Sequence, residues 1–489
     1  MDLQKKDKHK LRFGFLLKLG IAAGLYPLLF YYGNNFTLIN TWGHLLFFLG
    51  LFIVLPVITV VLGGNILNRI SSTVWRMRGL TFINLFAFGM FLQLCLLADL
   101  KKSVSVIILA ICSMAAFFIY RFLKKIMVLQ FLLSLIGLVI LVPKIYTFLS
   151  ASDAWQELPD AITDVTFTQT PNIYFIQPDG YVNPSELEKG YYKIDNKNFE
   201  DFLSVNNFKN YANFRSNYGS TLSTNSAVFA MKHHYYNGGE NFSETLNARN
   251  VIMGSNPVLQ ILKHNNYVTY FISEKPYLLQ TRPTLGYDFT NFGYDEIPYI
   301  STGLKTTKEV LPALTTYLND GIKSPKFYFI QILKPGHINN RESYSVGVDG
   351  ERDAWIKKLQ LANTLLKETV ATITAKDPNG LIIIMSDHGG YVGFNYTNQS
   401  YLKVEDPQKV NSIFSTILSI KWPGMAPEFD SQLVTSVNVF RILFAHLAND
   451  TQYLSNLEPD TSYLLIKEGK EQGVYQYIDD SGTITFKKK

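Results

Sequence analysis

Apolar residues crowd the first 150 positions of the chain and then thin into short runs separated by polar segments. Five early stretches, 13–32, 42–62, 80–98, 104–120 and 127–148, each approach the roughly 20 residues that a bilayer crossing needs. Beyond position 171 the pattern changes. Runs at 173–176, 268–273, 327–333, 381–385 and 414–422 read as strands, while 354–375 and 436–449 carry helical periodicity. Such alternation predicts an α/β domain, with helices packed on a mostly parallel sheet. The expected organisation is a five-helix membrane domain over 1–149, a polar linker over 150–170 with one short amphipathic helix, a catalytic domain over 171–470 and a C-terminal hairpin over 471–489. That hairpin would turn at Asp480-Ser481-Gly482.

Charge adds an orientation. Lys5, Lys6, Lys8, Lys10 and Arg12 precede the first stretch, Arg69, Arg76 and Arg78 fall in the second loop, and Arg121, Lys124 and Lys125 in the fourth. The first loop has no charge, and the third has only Asp99, Lys101 and Lys102. Basic loops alternating with poor ones place the N-terminus in the cytoplasm and everything after about residue 150 on the extracytoplasmic (periplasmic) side of a multi-pass inner-membrane protein. A cleaved signal peptide is a poor reading of the first stretch when four more follow it. The sequence pI near 8.9 has the same topological origin. The first 150 residues carry 15 Lys or Arg against Asp2, Asp7 and Asp99, whereas the rest carry 30 basic against 36 acidic residues, which argues against a nucleic-acid partner. Both cysteines, Cys95 and Cys112, lie in apolar stretches, so the second domain must stand on its own core without disulfides.

Three of the strand-like runs end in residues able to hold a metal. The uncharged run Leu381-Ile382-Ile383-Ile384 leads into MSDHGGY, with Asp387 and His388; Ile173-Tyr174-Phe175-Ile176 leads into QPDGY, with Asp179; FYFIQIL leads into KPGH, with His337. Ligands in open α/β sheets bind beyond the carboxyl ends of such strands. A fourth segment, RSNYGSTLSTNSAVFAMK, passes from turn residues into a helix-compatible run near Thr221. A hydroxyl there would sit among free backbone N–H groups, which suits a nucleophile facing phosphate. Helix capping by Ser220 or Thr221 is the competing reading.

Taken in order, the DG after the first strand, a Thr opening a helix, a lone His after a strand and SDHG resemble the alkaline phosphatase and sulfatase superfamily. Within it, five spans before an exported domain resemble the membrane-bound phosphoethanolamine transferases and lipoteichoic acid synthases. The resemblance implies an alkaline-phosphatase-like domain in which Asp179, Thr221, Asp387 and His388 hold one divalent cation, zinc by ligand type with manganese or magnesium still open. It also implies that Thr221 is the nucleophile and that His337 stands near the phosphoryl or leaving group. Lys334, as positive charge in place of a second metal, and Asn217 are further candidate substrate contacts.

Departures from the family sharpen the expectation. The segment STLSTN lacks the Cys or Ser followed by Pro and Arg of formylglycine sulfatases. Where two-metal relatives have an Asp four residues before the His this chain has Leu333, and downstream of His388 the one remaining histidine is His446, read as a packing residue. His233 and His234 read as surface residues. The expected activity is transfer of a phosphoryl-linked head group from a membrane lipid to an envelope glycan or lipid acceptor through a phosphothreonine. A phosphodiesterase, phosphatase or sulfatase-like hydrolase and a non-catalytic envelope scaffold are the alternatives.

Overall fold

The computed structural model describes residues 11–70, 72–242, 244–301 and 303–489, so the basic residues Lys5, Lys6, Lys8 and Lys10 lie outside the described part. The chain divides into two units, Met1–Ser150 with Pro298–Ser301 and Ala151–Ile297 with Thr302–Lys489.

In the first unit, four helical stretches are long and apolar enough to cross a membrane: Phe13–Ile39, Trp42–Leu67, Thr73–Leu97 and Lys102–Ser150. The expectation of five separate spans is corrected here, because the fourth and fifth are not parted by a loop. Helices Lys102–Ile119 and Leu123–Ser150 run into one another through a single 3-10 turn, Tyr120–Phe122. Their combined 49 residues still exceed twice what one crossing needs. Phe13–Ile39 packs against Leu123–Ser150, Leu55–Leu67 and Thr73–Leu97. Asn84 and Gln130 exchange two hydrogen bonds of 3.1 and 3.0 Å, and Asn84 also donates to the Leu19 carbonyl. Polar side chains inside an apolar bundle are tolerated when they satisfy one another across helices.

The second unit is built on seven strands, β1 (Ile173–Pro178), β2 (Lys209–Asn210), β3 (Val268–Ser273), β4 (Phe289–Thr290), β5 (Lys326–Ile332), β6 (Leu381–Met385) and β7 (Leu418–Lys421). They are ordered β2-β7-β6-β1-β5-β3-β4. From β6 across to β4 every pairing is parallel; β7 runs antiparallel to β6, and β2 antiparallel to β7. The run 414–422 proves only half strand, since Phe414 closes the helix Pro407–Phe414. Uninterrupted apolar runs are needed because both faces are covered. Ile173, Phe175, Leu381 and Ile383 enter one core, while Tyr174, Ile176, Ile382 and Ile384 enter the other. A second, antiparallel sheet joins β8 (Ser462–Ile466), β9 (Gly473–Ile478) and β10 (Ile484–Lys488). Residues 151–170 pack onto this unit, with Ile162, Val165 and Phe167 buried in its core and Thr168 bonded to the Leu447 carbonyl.

The β1 and β5 tips are tied beyond the last ladder pair. Asp179 N–H donates to the Ile332 carbonyl and Gly336 N–H to the Asp179 carbonyl, both at 2.8 Å. Gly180 turns with φ +65°, and a Cβ there would lie 2.3 Å from the Gly336 carbonyl oxygen; Gly321, at φ +77°, has open space around it. In thermal unfolding of the full-length protein, Gly321→Ala should cost about 1–2 kcal/mol of backbone strain and Gly180→Ala clearly more. Equal shifts in Tm for the two would contradict the bracing of these tips.

Candidate functional site

The three strand tips converge as their spacing predicts. Asp179 follows β1, Asp387 and His388 follow β6, and their ligand atoms lie within 4.8 Å of one another in a group that could hold a metal ion. His388 Nε2 is 3.2 Å from Asp179 Oδ1, 3.5 Å from Asp387 Oδ2 and 3.4 Å from Thr221 Oγ1. A tetrahedral ion with bonds of about 2.0–2.1 Å has ligand–ligand edges of about 3.3–3.4 Å, so these three separations suit one. Asp179 Oδ1 and Asp387 Oδ2 are buried without a hydrogen-bond partner. Orphaned acceptors of that kind need a cation.

The rest of the Asp387 and His388 side chains is spoken for. Asp387 Oδ1 accepts from Gly180 N–H at 3.2 Å and His388 N–H at 3.1 Å, which leaves Oδ2 to the centre. The His388 Nδ1 proton goes to the Gly389 carbonyl at 2.8 Å, which fixes the tautomer and turns the Nε2 lone pair inward. Burial raises the Asp387 carboxyl above its ordinary range, with Asp179 adding to it. Burial also works to raise Asp179, but contact with His388 holds it below the usual carboxylate value. His388, which burial alone would lower, is lifted to about 9 by Asp387 and Asp179.

Thr221 is the first residue of the helix Thr221–Ala230, after Ser220 in extended conformation (φ −151°, ψ 152°) whose side chain makes no cap. The Thr221 hydroxyl faces His388 instead of capping the helix. What holds it there escapes sequence reading. One turn along, Asn225 exchanges hydrogen bonds of 2.7 and 2.8 Å with Gln177 on β1, two residues before Asp179. This amide pair fixes the helix that begins at Thr221 against the strand that leads to Asp179. Tyr391 Oη donates to the Gly219 carbonyl at 2.6 Å.

His337 reaches the same centre from the β5 loop, its ring 5.9 Å from that of His388. Its Nδ1 donates to the Ile338 carbonyl at 2.6 Å, leaving Nε2 free, and burial lowers its pKa. Lys334 is ion-paired with Glu274, which also accepts from Leu333 N–H at 2.6 Å. Asn217 is not brought to the site. Its amide is consumed by the Thr461 carbonyl, Ser436 Oγ and Val437 N–H, so it ties the segment before Thr221 to the chain beyond β7. His233 and His234 are buried rather than on the surface. His234 accepts from Tyr236 N–H and donates to the Ser223 carbonyl, both at 2.8 Å, and burial pushes its pKa down to about 3, so it is a neutral brace for the helix. His446 packs edge-on against Trp422 with centroids 5.0 Å apart.

Two cavities, of about 400 and 520 Å³, meet here and share Thr221, Tyr277, His337 and Asn340. Sequence reading missed Lys358, Arg341 and Lys467 on their walls. The last had a signal, since the run Tyr463-Leu464-Leu465-Ile466 ends in Lys467 as the others end in Asp179, His337 and Asp387.

No protein-family model matches the chain, and no curated protein does. The chain is similar in fold to solved structures of phosphoethanolamine transferases. The C-terminal periplasmic domain of EcEptC from Escherichia coli, in complex with Zn, is 14% identical over 64% of this chain and 93% of that one, with a TM-score of 0.43. The corresponding domain of phosphoethanolamine transferase EptC from Campylobacter jejuni is 11% identical over 60% and 92%, at 0.37. The integral membrane lipooligosaccharide phosphoethanolamine transferase A from Neisseria meningitidis is 10% identical over 90% and 96%, at 0.41. At such identities and scores these likenesses carry no argument about chemistry.

The donor set has room for one cation. Elemental analysis of the purified full-length protein should find one tightly held divalent ion per chain, lost in Asp387→Asn and His388→Gln and kept in His337→Gln. Two tightly held equivalents would contradict this geometry.

Proposed function

We propose that the chain is a membrane-bound phosphotransferase that moves a phosphoryl-linked head group from a lipid donor to an envelope acceptor through a phosphothreonine at Thr221. The observation that carries the reading is the shared contact of Thr221 Oγ1, Asp179 Oδ1 and Asp387 Oδ2 with one imidazole nitrogen, at 3.2–3.5 Å. A hydroxyl set among metal-ligand atoms, at a helix start and on a cavity, is arranged as a nucleophile.

Asp179, Thr221, Asp387 and His388 would hold a divalent cation. Bound there, it would lower the pKa of the hydroxyl and polarise a phosphoryl oxygen. Zinc fits the mixed imidazole and oxygen donors best. Thr221 Oγ attacks phosphorus in line, and the free N–H groups of the first helical turn receive the phosphoryl oxygens. His337 Nε2, a lone pair in the neutral ring, takes the proton that leaves Thr221 Oγ and passes it to the departing lipid alcohol. The intermediate then passes to an acceptor hydroxyl.

The four apolar helices support a donor that is itself in the membrane; a soluble donor would require only an anchor. The basic clusters Arg69, Arg76, Arg78 and Arg121, Lys124, Lys125 support an inner-membrane protein whose second unit faces away from the cytoplasm.

Right-side-out membrane vesicles carrying the protein, given phosphatidylethanolamine or phosphatidylglycerol labelled in the head group and a membrane-impermeant envelope glycan, should move label into the glycan. Thr221→Ala should abolish transfer by several orders of magnitude, as nucleophile removal does, with little loss of stability because the hydroxyl is not a cap. Label trapped in the wild-type protein should map to Thr221. Label on Ser220, Ser223 or Thr224, or its release only as free head-group phosphate whatever the acceptor, would contradict the reading.

A further inference from the structure

The two cavities that meet at Thr221 have different walls. The larger continues past Leu304, Leu333 and Leu361, with Lys334 and Lys358 on its sides. The smaller is walled by Tyr236, Tyr391 and Tyr401 and carries Arg341 and Lys467. In two successive in-line displacements the lipid oxygen and the acceptor oxygen occupy in turn the position opposite Thr221 Oγ, while the rest of each substrate needs its own walls. We propose that the tyrosine-walled cavity is the acceptor site, where Lys467 and Arg341 recruit an acceptor that offers a hydroxyl beside an anionic group, an anionic sugar being the class that fits, while the leucine-lined cavity takes the lipid donor. The assignment rests on the phosphothreonine reading of Thr221.

Three features of the smaller cavity carry it. The Lys467 ammonium stands 3.6 Å above the centre of the Tyr401 ring, which holds the cation in place without neutralising it. Among the described residues neither Lys467 nor Arg341 forms a side-chain ion pair or hydrogen bond, so both are free to meet an anion. Burial draws the Lys467 pKa down to about 8 against the upward pull of Glu244 and Glu468, so a bound anion would stabilise the charged form. Asn340, Thr397 and Asn398, exposed or half-buried on its wall, supply amide and hydroxyl partners for the hydroxyl groups of a sugar. In the larger cavity Lys334 is already paired with Glu274, and Lys358 stands beside the leucines as the cation left for the anionic head of an amphiphile.

In the second step the acceptor oxygen bonds to phosphorus and the bond from phosphorus to Thr221 Oγ breaks. The acceptor's proton ends on Thr221 Oγ, which restores the hydroxyl. No further reactant is needed.

The test separates the two steps in the full-length protein. Vesicles of mixed phosphatidylethanolamine and phosphatidylglycerol load Thr221, the adduct is read by mass, and its discharge is timed with glucose 1-phosphate against methyl glucoside. The wild type should discharge about tenfold faster with the anionic probe. Lys467→Met and Arg341→Gln should remove that preference while loading stays within about twofold, Lys467→Arg should restore it, and Lys358→Met should slow loading instead. Equal discharge by both probes, or a Lys467→Met defect confined to loading, would overturn the assignment. An adduct that never appears on wild-type Thr221 would overturn the phosphothreonine reading itself, and the assignment with it.

Discussion

Two carboxylates brought together in a buried place set the terms for the rest of this molecule. Asp179 and Asp387 stand just past the ends of neighbouring parallel strands, each with one oxygen that has no hydrogen-bond partner among the described residues. Like charges about 4 Å apart repel by about 4 kcal/mol at an effective dielectric of 20. The fold therefore surrounds them with compensation. Backbone N–H groups of Gly180 and His388 engage Asp387, and the His388 imidazole lies between the two carboxylates. What this leaves unmet is a need for one more positive charge, at the point that the Thr221 hydroxyl also reaches.

Holding that point to within fractions of an ångström is the work of the fold around it. The β1–β5 tie sets the height of Asp179, and the Gln177–Asn225 amide pair sets Thr221 against it. Trp355, fully buried in the helix Gly347–Lys376, donates to the Gly336 carbonyl and backs the loop that carries His337. Each brace originates in the core and ends within four residues of Asp179, Thr221 or His337, so the candidate site inherits the rigidity of the sheet. The openings on either side of Thr221 are left to loops, where substrate selection can vary without disturbing the centre.

Much of this was legible in the sequence because chemistry and periodicity coincided there. Uncharged runs announced the doubly covered strands, and ligand-type residues stood at the ends of three of them. Thr221 was legible from the change of turn residues into a helix. The parts that escaped did so for physical reasons. Tyr120-Arg121-Phe122 contains no helix breaker, so the loop read around Arg121, Lys124 and Lys125 is a single turn at Arg121 between nearly continuous helices, with both lysines inside the second. Phe414 is equally apolar in a strand or at a helix end, and only tertiary packing decides. Asn217 and His234 carry functional-looking side chains whose partners, Thr461 and Ser436 or Ser223, are set by the fold, and no local pattern reveals that a polar group is already spent. Lys467 and Arg341 are remote in sequence from Thr221, and only the path of the chain brings them to one cavity.

The central claim is that one imidazole and three oxygens, from Asp179, Thr221, Asp387 and His388, surround a single cation at the nucleophile. X-ray absorption at the metal edge of the zinc-loaded full-length protein tests it directly. The account predicts one histidine nitrogen and three oxygen scatterers at about 2.0–2.1 Å, with the oxygen shell altered in Asp387→Asn. Two or more imidazoles in the shell, or a spectrum that Asp387→Asn leaves unchanged, would contradict it.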